Sequence, residues 1–224
     1  MKQENQEITK EEIKKEFQLE RMILFSDAVF AIVITLMAIE IHLPELPNHG
    51  RYTESTFIDA LKYIYPTIFA YALSFFFIGT MWYKHLQMFS LLKDYNKDLI
   101  IRNLIFLFFI GLFPFGASLI TSKLNFLLPA FLYFIIIILC MTAQLILHDY
   151  IINRGKDIII KVDLSDQRAQ LKRRVLSLSS MLVIAILAYI TYLLIPNEDD
   201  KMYASFWFFV LAIITRIINK KKRS

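Results

Sequence analysis

Residues 21–39 read RMILFSDAVFAIVITLMAI. An arginine, a Phe25-Ser26-Asp27 step and then an almost unbroken apolar run describe a membrane helix whose polar groups gather at its entrance. One hydroxyl, Thr35, stands among the branched aliphatics. At about 100° per residue, Thr35 shares a stripe with Ala28, Ile32, Leu36 and Ile39, whereas Asp27 sits about 140° away from Ile32 and faces neighbouring helices. The stripe reads either as the lining of a narrow ion pathway or as plain lipid contact.

The rest of the chain repeats the apolar theme. Hydrophobic residues make up 57% of the 224, with 20 Phe and 11 Tyr, against roughly 45–50% in soluble domains. The charges fall between six apolar stretches, near 24–43, 57–83, 99–120, 126–147, 175–195 and 202–218. Each approaches or exceeds the roughly 20 residues that cross a ~30 Å hydrocarbon layer as a helix. Barrel-type alternation is absent, so the backbone satisfies itself within helices. Pro66 and Pro114 fall inside the second and third stretches, where they are placed to bend them. The expected fold is an all-α membrane protein of six transmembrane helices.

Basic residues orient it. Lys2, Lys10, Lys14, Lys15 and Arg21 precede the first stretch, Lys84, Lys93 and Lys97 lie between the second and third, and Arg102 stands in the first turn of the third. Between the fourth and fifth stand Arg154, Lys156, Lys161, Arg168, Lys172, Arg173 and Arg174. Arg216, Lys220, Lys221, Lys222 and Arg223 end the chain. Of the 25 Lys and Arg, only Arg51, Lys62, Lys123 and Lys201 fall on the other side. The positive-inside rule then puts both termini in the cytoplasm.

That bias accounts for the +5 net charge without a nucleic-acid partner; anionic lipid near the Lys-Lys-Lys-Arg tail is the matching surface. The first apolar run follows about 20 mixed-charge residues and lacks a small-residue cleavage site, so it reads as a span and not a signal peptide. The lone Cys140 permits no intramolecular disulfide and reads as packing within the fourth span. Residues 1–20 read as a short amphipathic helix or as a solvated charged tail. Residues 44–56 form the longest external loop, and 148–174 the longest cytoplasmic one, with a helix at 163–174. The division is an N-terminal segment (1–20), a transmembrane domain (21–218) and a basic tail (219–224).

Several function classes are excluded by what these stretches lack. No span carries an arginine every third residue, and no Thr-Val-Gly-Tyr-Gly filter occurs. Five glycines hold no Walker loop, and the four histidines show no metal-binding spacing. No catalytic residue, metal site or cofactor is expected, and the chain is not read as an enzyme. The polar groups near a membrane end are Arg21, Ser26, Asp27, Trp82, His85 and Asn103. Trp82 and His85 share one face of the second span at the depth of Asp27, which suits an Asp–His or Asp–Trp hydrogen bond; interfacial anchoring is the alternative.

Arg21-x-x-x-Phe25-Ser26-Asp27 opening an apolar helix, joined to Trp82-x-x-His85 in the second span, resembles the signature of the endolysosomal potassium channel family, transmembrane protein 175. Six spans with cytoplasmic termini resemble one repeat of that family, in its single-repeat prokaryotic form. The resemblance implies a homotetrameric, leak-like potassium channel of the plasma membrane, whose partners are its own copies, membrane lipids and potassium ions. It implies that four first helices surround the axis, that Ile32 forms the constriction, and that Thr35, Leu36 and Ile39 continue the lining. Arg21, Phe25, Ser26, Asp27, Trp82 and His85 would then fasten the first helix to its neighbours. One departure is Ala31, a small hydroxyl residue in some animal members, which makes this lining less polar. Two other readings stand beside it: a proton-coupled secondary transporter that titrates Asp27 and His85, and a non-conducting scaffold recruiting partners through its basic loop.

Overall fold

A computed structural model describes residues 2–39, 41–44, 52–121 and 128–196. The sixth apolar stretch (202–218), the basic tail (219–224), Arg51, Lys123, Lys201 and most of the 44–56 loop lie outside the described residues. Among the described residues, five helical segments are long and apolar enough to cross a membrane.

The first is α1 (Lys2–Ile39), one uninterrupted helix of 38 residues. The charged segment at 2–20 is therefore helical and continuous with the first span. Leu19, Ser26, Phe30, Val33 and Met37 form its buried face, at the three- and four-residue steps that keep one side of a helix against its neighbours.

Helix α2 (Glu54–Phe89) begins in a capping box, in which Thr53 and Thr56 satisfy each other's backbone N–H. It runs through Pro66 without a break. The third stretch does break: α3 (Lys97–Gly111) stops and α4 (Phe113–Thr121) starts anew. Pro114 lacks the N–H that an unbroken helix would use there, and it sits in the first turn of α4, where none is needed.

Helix α5 (Leu128–Asp149) widens into a π-turn at Tyr150–Arg154. Helix α6 (Ser165–Leu194) follows after a ten-residue connection. The expected helix at 163–174 and the fifth span are thus one helix. Asp163 secures its start by accepting hydrogen bonds from the Ser165 N–H (2.9 Å) and O–H (2.8 Å). These bonds, the backbone one foremost, hold the Asp163 carboxyl below the usual carboxylate range.

Helix α5 packs on α3, α4 and α6, while α1 packs on α2, α3 and α4. Phe77 stacks on Phe113 at 5.4 Å, and Phe113 meets Tyr133 edge-on at 5.8 Å. The Tyr133 hydroxyl bonds Ser74 across α2 and α5. Buried Gln144 donates to the Met81 carbonyl at 2.8 Å, a satisfied polar tie in an apolar setting.

At one end of the bundle the 155–160 connection lies on the α2–α3 turn. Leu92 and Ile159 form a β-bridge, Lys93 and Asp94 donate their N–H groups to Ile158 O, and Ile160 N donates to Leu91 O. Ile151, Ile152, Ile158 and Ile159 are buried beneath it. We call this the basic end, since Lys84, Lys93, Lys97, Arg102 and the 154–174 cations gather there.

Candidate functional site

The entrance motif of α1 resolves into two separate hydrogen-bond ties. Asp27 Oδ1 accepts from Trp82 Nε1 at 2.8 Å. Of the two partners expected for Asp27, the structure selects the tryptophan. His85 is fully buried and turns instead to Asn103: its Nε2 lies 2.9 Å from Asn103 Oδ1. The Asn103 amide donates to Ser26 Oγ at 2.9 Å, and Ser26 donates in turn to the Met22 carbonyl at 2.9 Å.

Donor and acceptor directions follow from this chain. Asn103 Oδ1 can only accept, so His85 Nε2 carries the proton. His85 Nδ1 is buried and has no hydrogen-bond partner among the described residues. The neutral ring with its proton on Nε2 satisfies every other group. A second proton on Nδ1 would place an unpaired donor and a charge among phenyl rings. The ring stacks on Phe89 at 3.8 Å between centroids, with Phe106 at 5.9 Å and Phe30 at 5.8 Å.

Ser26 and Asp27 are adjacent in sequence yet serve different helices. A step of 100° sends Ser26 toward α3 and Asp27 toward α2. Arg21 and Phe25, grouped with the hydrogen-bonding residues on sequence, stand outside both ties. Phe25 has no polar side-chain atom, and the Arg21 guanidinium lies 5.9 Å from the Phe17 ring on the exposed side of α1. Together they line an open cleft of about 470 Å³ between α1 and α3, with Gln18, Met22, Tyr95 and Asn103 on its walls.

The stripe opposite is uncovered within the subunit. Ile32 is 56% exposed, Leu36 45% and Ile39 71%; Ala28, Ala31, Thr35 and Ala38 are exposed beside them. Thr35 Oγ1 bonds the carbonyls of Ile32 (2.9 Å) and Ala31 (3.1 Å). Its one proton is thereby engaged within the helix, which leaves oxygen lone pairs on the exposed side. Between Asp27 and Ile39 this face carries no aromatic residue, whereas the exposed faces of α2, α3 and α4 carry Tyr65, Phe69, Phe76, Phe108 and Phe115. Small and aliphatic residues allow close approach of another helix or a narrow lumen; bulky rings do not.

Asn103 was visible in the sequence as a lone amide inside an apolar run, and Gln144 gives the same signal. What the sequence did not disclose is that Asn103 joins Ser26 to His85. Trp82→Phe removes one donor while keeping a ring in place. The expected cost is about 1–2 kcal/mol, read as a lower midpoint in thermal unfolding of the detergent-purified protein. An unchanged midpoint would show that the Asp27–Trp82 tie contributes nothing.

Comparison with known proteins accords with this geometry. Residues 21–114 match the family model for the endosomal/lysosomal potassium channel TMEM175, a segment holding both ties. A potassium channel of Chryseobacterium sp. (strain P1-3) is 32% identical over 133 residues, 59% of this chain and 65% of the relative. A potassium channel of Streptomyces collinus is 33% identical over 105 residues, 47% of this chain and 48% of the relative. The chain thus spans about half to two thirds of the length of these curated relatives. The crystal structure of a lysosomal potassium-selective channel TMEM175 homolog from Chamaesiphon minutus superposes with a TM-score of 0.69 at 20% identity, covering 93% of this chain and all of that one. Residues 21–114 of this multi-pass membrane protein thus match the family model of the endosomal/lysosomal potassium channel TMEM175, and the chain has the fold of that bacterial homolog.

Proposed function

We propose that the chain is a potassium-permeable, leak-like cation channel of a prokaryotic plasma membrane. In this reading four copies set α1 around a common axis, with both termini in the cytoplasm. One observation carries it: the back of α1 is fastened by two hydrogen-bond ties, while its Ala28–Ile39 face is aliphatic, free of aromatic rings and uncovered in the single subunit.

Four Ile32 side chains make an apolar ring that conducts when it widens or wets. Leu36 and Ile39 continue the lining one and two turns on, and the Thr35 oxygens offer the only side-chain polarity among these four residues. Potassium sheds water more readily than sodium, so a narrow, weakly polar passage favours it. No series of charges lies along a span to respond to voltage, which makes the current weakly voltage-dependent. The domain doing this work is 21–218, with 1–20 and 219–224 as cytoplasmic flanks.

The transporter reading needs Asp27 and His85 to exchange protons. They bond different partners, Trp82 and Asn103, and His85 is satisfied as the neutral ring, so the geometry favours the channel. The direct test is ion flux into liposomes holding the purified protein, first in potassium and then in sodium. Flux in potassium exceeding that in sodium is expected; no flux in either would leave the scaffold reading standing instead. Thr35→Val supplies a finer test. Because that hydroxyl bonds only its own helix, stability should stay within about 0.5 kcal/mol, while potassium flux falls relative to sodium. An unchanged flux ratio would remove Thr35 from the lining.

A further inference from the structure

At the basic end, α2, α5 and α6 enclose a cleft of about 470 Å³ whose walls include Lys84 and Gln87 from α2 and Gln170, Arg173, Arg174 and Ser177 from α6. Three cations thus come together from two helices. Among the described residues no carboxylate lines the cleft, and the ion pairs lie elsewhere: Lys15–Asp94, Lys62–Asp59 and Arg102–Asp98. Residues 202–224 contain no Asp or Glu, so the last apolar stretch has no acidic side chain to offer.

The arrangement is costly as it stands. Lys84 and Arg174 are close enough to feel each other's charge, and both are partly withdrawn from solvent. Among the described residues the Arg174 guanidinium donates to Met88 Sδ at 3.6 Å, a weak acceptor for a strong donor. Like charges sharing a half-buried site raise the energy of the unliganded state, and an anion between them relieves it.

The surroundings indicate which anion. Two guanidinium forks and one ammonium match the several oxygens of a phosphate, and the amides of Gln87 and Gln170 with the Ser177 hydroxyl add neutral donors. The apolar run of α6 begins at Val175, directly after Arg174, and that of α2 ends at Tyr83, directly before Lys84. The cleft therefore lies where hydrocarbon gives way to water, at the depth of phospholipid headgroups. Its volume suits a small ligand group.

We propose that the Lys84–Arg173–Arg174 cleft is a binding site for a phosphate-bearing anion, occupied by the headgroup of an anionic phospholipid. The cleft is lined from α2, α5 and α6 and shares no residue with the α1 stripe.

The test titrates the purified full-length protein in non-ionic detergent with phosphatidylglycerol, phosphatidylcholine and, separately, inorganic phosphate, and counts adducts by native mass spectrometry. Phosphatidylglycerol should be retained in preference to phosphatidylcholine. The double variant Arg173→Gln, Arg174→Gln should weaken that retention at least about tenfold, and Lys84→Gln severalfold. Lys172→Gln, an exposed neighbour outside the cleft, should leave it unchanged. If inorganic phosphate binds alone and displaces the lipid at equal concentration, the phosphate site stands and its lipid occupant is overturned. Equal retention of both lipids by the unaltered protein, with no phosphate bound, overturns the site. So does undiminished phosphatidylglycerol retention in Lys84→Gln, which decides the matter even if the double variant fails to fold.

Discussion

Ile32→Asn is expected to raise sodium permeation through reconstituted protein by about tenfold or more relative to potassium. The side chain stands on the uncovered stripe of α1 and touches neither tie that holds the helix, so the effect should fall on the passage and not on the fold. An apolar ring excludes ions because water does not stay in it. A ring of amides offers donors and acceptors that replace part of an ion's hydration, and the barrier to wetting drops. Sodium, which holds its water more tightly, gains most. A barrier lowered by about 1.4 kcal/mol corresponds to a tenfold rate. The measurement is sodium-driven flux in liposomes, with thermal unfolding as the check on folding. Unaltered sodium flux in a folded variant would remove Ile32 from the constriction and, with it, α1 from the axis.

The largest expected effect on stability comes from Asn103→Leu. This change strips His85 Nε2 of its acceptor and Ser26 Oγ of its incoming donor, and both groups are buried. An orphaned buried polar group costs about 1–3 kcal/mol, so a loss of about 2–4 kcal/mol is expected in thermal or denaturant unfolding. The double variant His85→Leu, Asn103→Leu should recover part of it, because removing both partners leaves no orphaned ring nitrogen. If the two losses simply add, the His85–Asn103 contact is not the energetic link between α2 and α3.

Much of this architecture is legible in the chain itself, for reasons that particular residues show. The hydrocarbon layer demands some 20 apolar residues at a time, and nothing in 24–43 or 126–147 competes with that signal. The break before Pro114 follows from a missing N–H. The outward turn of Ile32 and the inward turn of Asp27 follow from helical geometry alone. The partner of Asp27 does not, because Trp82 and His85 share a helix face and only the packing of α3 decides between them. Asn103 takes the histidine and leaves the tryptophan. Arg21 sits in the same motif but outside the ties, a distinction that spacing cannot express. Lys84 and Arg174 lie ninety residues apart and read separately as membrane-flanking charge; their convergence exists only once α2 and α6 meet beside α5. The clasp of Ile159 on Leu92 is likewise a long-range pairing without a local signature.

The 38-residue length of α1 has a mechanical consequence. At 1.5 Å per residue the helix measures ~57 Å, well beyond a ~30 Å hydrocarbon layer, and residues 2–39 contain neither glycine nor proline. Such a rod has no built-in hinge. The ties at Ser26 and Asp27 sit within a longer seat, since Leu19 before them and Phe30, Val33 and Met37 after them are also buried. A rod without a hinge, seated along that face, passes a load on its charged turns to the whole span and does not bend beneath it.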